Sequence, residues 1–107
     1  MKLLTLGLVA SLQISAAAAD GVVTYTTSDS FGDATFAVEN AIVGKGLVID
    51  YVSHTGEMLA RTKADVGGTK DLFEAADVFL FCSASLSRQV MEVDPMNIAH
   101  CPYAVFV

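Results

Sequence analysis

Val78 to Cys82 reads VFLFC, apolar at every position. As a strand, such a run belongs at the centre of a sheet or under cover on both faces. The rest of the chain must therefore supply flanking strands and a covering layer. At 107 residues there is room for one domain and no more. The composition, 53% hydrophobic and 17% charged with two prolines, is that of a folding chain rather than a linker or a disordered segment.

The N-terminus limits the length further. Met1-Lys2 carries one positive charge, Leu3 to Ile14 has none, and Ala16 to Ala19 places small residues where a signal peptidase reads them. Residues 1–19 are expected to be a signal peptide cut at Ala17-x-Ala19, before Asp20. A membrane anchor would need about 18 to 20 apolar residues, usually with a basic far flank, whereas this segment runs into Asp20-Gly21. The expected product is periplasmic or secreted, with 88 residues in a single domain, 20–107. At that size core burial is marginal, and a covalent staple or a partner subunit helps.

Loss of Lys2 leaves Lys45, Arg61, Lys63, Lys70 and Arg88 against 12 acidic residues. No basic patch or stripe is available to neutralise phosphates, which excludes a nucleic-acid partner. The acidic balance favours solubility and, mildly, cationic ligands.

Strand and helix signals alternate along the mature chain. Val22 to Thr27 (VVTYTT) reads as a strand. Ser28-Asp29-Ser30 supplies N-cap chemistry for a helix from about Phe31 to Val43, with Ala34, Ala37, Val38, Ala41 and Ile42 as its apolar face. Gly44-Lys45-Gly46 stops it. Leu47 to Val52 is a second strand, interrupted by Asp50, whose carboxylate is either on an exposed face or part of a site. Thr55 to Lys63 is a short helix with Met58 and Leu59 inward, Asp65 to Thr69 a turn, and Lys70 to Ala76 a further helical turn leading into VFLFC. Ser83 to Val93 carries Leu86, Val90 and Val93 at helical spacing, the mark of a helix lying on the sheet. Pro95 ends it, and MNIAHCP leads as a loop to a last strand, Tyr103 to Val107. These elements predict an α+β fold, a two-layer sandwich with helices on one face of a sheet of four or more strands.

The stretch FCSASLSRQVMEVDPMNIAHCPYAVFV, residues 81–107, resembles the second half of the domain of unknown function 302 family. SDSFGDATFAVENAIVGKG and IDYVSHTGEMLAR resemble its first half, so the likeness spans about residues 21–107, with FCSA…DP.NIA.CP its most specific part. The resemblance implies a small α+β domain with a mainly antiparallel sheet, a homodimer, and no established activity or catalytic residues. Members of that family continue through a Tyr-Glu pair into one more strand, so it also implies a last strand running on past Val107.

Cys82 and Cys101 are the two cysteines. In an oxidising compartment they suggest one disulfide; a shared metal or haem site and two unrelated thiols are the alternatives. Topology decides whether they meet. Antiparallel strands bring the two sulfurs to one end of the sheet, whereas parallel strands leave them roughly 16 Å apart, beyond disulfide reach.

Met96, His100 and Cys101 share one loop, with Met91 shortly before it. Thioether, imidazole and thiolate suit copper(I) or haem iron, which makes Met96 and His100 candidate ligands. The opposing reading puts Met91 in the core, Met96 as a gap filler and His100 at the surface. His54 with Met58 four residues on is a second thin pair. Neither Cys-x-x-Cys nor Cys-x-x-Cys-His occurs, which argues against a thioredoxin-type dithiol and covalent c-type haem. Ser83, Ser85 and Ser87 follow a strand but lack the glycine-flanked elbow of an esterase, and helix capping is their simpler use. Gly67-Gly68-Thr69-Lys70 lacks the spacing of a phosphate loop. The sequence thus points to a non-enzymatic binding or interaction module, with a periplasmic thiol-redox or metal- or haem-handling protein using Cys82, Cys101, His100 and Met96 as the alternative.

Overall fold

The computed structural model describes residues 17–19 and 21–107; most of the expected signal peptide, 1–16, lies outside the described residues. Two short strands, β1 (Ala17–Ala19) and β2 (Val22–Thr24), form an antiparallel hairpin. Then follow α1 (Phe31–Gly44), β3 (Val48–Ser53), α2 (Thr55–Thr62), β4 (Val78–Cys82), α3 (Ala84–Val93), a 3-10 helix (Pro95–His100) and β5 (Tyr103–Phe106). The fold is α+β, built on a three-stranded antiparallel sheet in the order β3-β4-β5.

Local chemistry sets the helix ends. The Ser30 hydroxyl accepts from the Asp33 backbone N–H at 3.1 Å and donates to the Asp33 carboxylate at 2.7 Å, a reciprocal cap at the start of α1. At the other end Gly46 takes φ +75°, Gly46 N–H donates to Val43 O and Leu47 N–H to Ile42 O. This pair of bonds is a Schellman closure, which requires a residue that tolerates positive φ. Ser83 caps α3 through Leu86 N–H, and Asp94 starts the 3-10 helix by accepting from Met96 N–H.

The expected central strand is central. β4 pairs with β3 on one side and β5 on the other, and Asp77 and Val107 extend the second ladder by exchanging backbone hydrogen bonds. Cross-strand partners share a face. One face carries Phe79 with Val52 and Val105, and Phe81 with Ile49 and Tyr103, all buried or half-buried. The Phe81 and Tyr103 rings sit 6.1 Å apart, tilted by 54°. The layer above includes α1, which lies against β3 and buries Ile42.

VFLFC meets the first of its two readings, central rather than covered on both faces: the second face, with Val48, Tyr51, Val78, Leu80, Ala104 and Phe106, leaves Val48, Tyr51, Ala104 and Phe106 exposed. Several sequence expectations change. Met58, expected inward, is exposed, and the expected loop before the last strand is a 3-10 helix as far as His100. The main sheet has three strands rather than four or more, because Val22–Thr24 pairs with Ala17–Ala19 instead of joining it. Lys70 to Ala76 forms no helical turn. Its carbonyl at Ala76 accepts from Gly56 N–H at 2.8 Å, and Asp71 is drawn to Lys63 at 2.8 Å, so tertiary bonds hold it irregular. Finally, α3 turns Ser87, Val90 and Met91 inward, whereas Leu86 and Val93 are exposed. Packing of the 3-10 helix along α3, with Asn97 Nδ2 donating to Val90 O at 2.8 Å, sets that rotation.

The core is small. Ile42 and Phe79 are the buried hydrophobic residues among those described, and neither is wholly sealed from solvent.

Candidate functional site

The sequence leaves open whether Cys82 and Cys101 meet; strand direction answers it. β4 and β5 run antiparallel with Phe81 opposite Tyr103, so the end of β4 and the start of β5 lie at the same edge of the sheet. There Cys82 and Cys101 come to lie beside each other, and both are free thiols in the structure, half-exposed. Ser87, on the inward side of α3, sets its hydroxyl 3.7 Å from the Cys101 sulfur. Cys101 caps the 3-10 helix through its N–H to Ile98 O and precedes Pro102 in a cis peptide bond.

Asp50 reaches the same place by a local irregularity. Between Ile49, opposite Phe81, and Tyr51, opposite Leu80, it is the extra residue of a β-bulge. The broken alternation that Asp50 introduces in the sequence is therefore a bulge, which keeps the apolar residues on either side of it in register. Its carboxylate is exposed and close enough to act on Cys82. The neighbouring Cys101 side chain does most to push the Cys82 thiol up from the ordinary thiol range. Partial burial and the Asp50 carboxylate add to it, against a downward pull from the Tyr103 backbone N–H. At neutral pH Cys82 is a protonated thiol, poorly suited to the fast attack expected of an activated cysteine.

The other sequence candidates are dispersed. Met91 is half-buried in α3, whereas Met96 and His100 on the 3-10 helix are exposed. His54 does not act with Met58. Its Nδ1 lies 2.8 Å from Asp77 Oδ1, 23 residues on, while Met58 Sδ accepts from the Thr62 hydroxyl. Among the described residues no group of three or more His, Cys, Asp or Glu side chains is disposed to hold a metal ion. Ser83 and Ser85 bond to each other at 3.3 Å at the helix start. Gly67 takes φ +71° in the turn expected there, and Gly68 N–H closes it onto Lys63 O at 2.7 Å.

No family model, curated protein or solved structure matches this chain. Among the described residues no helix is long and apolar enough to cross a membrane.

A second feature escaped sequence reasoning: the bare face of the sheet. Val48 is 71%, Tyr51 63% and Phe106 58% exposed, all on one side of three adjacent strands. In the sequence β5 is continuously apolar, which gives no sign that only one of its faces would be covered.

Proposed function

We propose that this chain is an exported member of the domain of unknown function 302 family and works as a non-enzymatic interaction domain, pairing with a second copy of itself through the bare face of its sheet. The carrying observation is that apolar face. Tyr51 and Phe106 alone leave roughly 250 Å² of apolar surface in water, and the exposed Val48 on the same face carries the patch into the range of a few hundred Å² where interaction sites are found. Buried on two copies, that surface contributes about 12 kcal/mol, within the range of about 4–15 kcal/mol that association costs. Val48, Leu80 and Ala104 add the surplus. The motif that carries the family resemblance supports the same reading, since it spans the end of β4, α3, the 3-10 helix and β5 as one continuous unit. Export is supported by the charge and hydropathy pattern of residues 1–19.

Sedimentation of the chain beginning at Asp20 tests this. A dimer at micromolar concentration is expected, and a monomer for the Tyr51→Lys, Phe106→Glu double variant with unchanged circular dichroism. A wild-type monomer at all accessible concentrations would sink the pairing, and a dimer persisting in the variant would sink the face assigned to it.

The contact between Cys82 and Cys101 favours a second reading, thiol-redox or soft-metal handling.

A further inference from the structure

We infer that Cys82 and Cys101 form a two-sulfur site for a soft monovalent cation, copper(I), at the edge of the sheet. This rests on the second reading above and narrows it to one ligand class. Two sulfur atoms converge from chain segments 19 residues apart, brought together by the antiparallel β4-β5 ladder rather than by a local motif. Both are half-exposed, so an ion has access from solvent. The donors that converge are two, both soft, and copper(I) is the biological cation satisfied by two thiolates, whereas zinc takes four ligands.

The surroundings suit that role. The Ser87 hydroxyl, 3.7 Å from the Cys101 sulfur, and the Tyr103 N–H beside Cys82 are each placed to donate to a thiolate, fixing the pair from outside the coordination shell. Asp50, projecting from the bulge, adds negative charge without occupying a ligand position. On binding, two S–H bonds are given up, two Cu–S bonds form and two protons pass to solvent. No electron is transferred, and the site goes from neutral to a charge of −1. Met96 and His100, exposed on the 3-10 helix, stay outside the ligand set.

The test uses the reduced chain from Asp20 under argon, with copper(I) offered in competition with bathocuproine disulfonate. One equivalent retained per chain is expected, with at least a tenfold loss of retention in Cys82→Ser and in Cys101→Ser and no loss in Met96→Leu or His100→Gln. Wild-type protein supplies a reading independent of variant folding: copper(I) should protect both thiols from iodoacetamide, seen as two missing adducts by mass spectrometry. Equal alkylation with and without copper(I) overturns the site. So does conversion of the pair to a disulfide by oxidised glutathione without any copper retention, a result that leaves the thiol-redox reading standing.

Discussion

Gly56 is the second residue of α2, and its backbone is pressed against the segment that enters β4. A Cβ there would lie 2.5 Å from Ala76 N and 3.2 Å from Ala75 C and Ala76 Cα, all backbone atoms. The Gly56 N–H to Ala76 O bond of 2.8 Å ties the two segments together, so neither withdraws without losing it. Relief of the contact requires a movement of close to 1 Å, in the range where overpacking costs about 1–3 kcal/mol. Better helix propensity returns up to about 1 kcal/mol, less near a helix end. Gly32 provides the matched control. It too is the second residue of its helix, and its nearest neighbour to a new Cβ is the Ser30 hydroxyl at 4.0 Å. Gly56→Ala is thus expected to lie about 1–3 kcal/mol below Gly32→Ala. For a domain of this size that corresponds to a Tm difference of at least about 4 °C. Urea unfolding with unchanged m would measure it. If Gly56→Ala matched or exceeded Gly32→Ala in stability, the close approach of α2 to Ala75–Ala76 would not be a constraint and the reasoning would fail.

Three further outcomes are expected. Phe79→Ala should cost about 3–5 kcal/mol in urea melts, whereas Phe106→Ala, at concentrations where the chain is monomeric, should stay within about 0.5 kcal/mol; equal losses would contradict the one-sided core. In the reduced protein the raised Cys82 thiol keeps its proton in the folded state after the unfolded chain has lost it. The associated stability is complete below about pH 8.5 and declines as pH climbs toward the folded pKa, so wild type should lose more stability than Cys82→Ser between pH 7.5 and 10. Hydrogen exchange addresses the N-terminus: a chain beginning at Asp20 lacks the partner strand Ala17–Ala19, and the amides of Val22–Thr24 should exchange freely while those of Val78–Cys82 remain protected. Persistent protection at Val22–Thr24 would reveal another partner for that strand.

What the amino-acid sequence determined by itself was the set of features decided within a few residues. Ser30 and Ser83 mark helix starts because a hydroxyl reaches an N–H three residues on, and Gly46 marks a helix end because positive φ is cheap there. VFLFC announced an interior strand because an unbroken apolar run is disfavoured at a solvated edge. The α+β class followed from the alternation of such elements. What the tertiary structure decided depended on pairings between distant segments. The antiparallel register of β4 and β5 brought Cys82 to Cys101, and the β3-β4 register made Asp50 a bulge beside them. Docking of the 3-10 helix rotated α3 to present Val90 and Met91 in place of Leu86 and Val93, two faces that hydrophobic spacing alone scores alike. The bare face of the sheet belongs to the same class. Each strand is apolar enough to be covered on both sides, and only the placement of the helices settles which side remains for a partner.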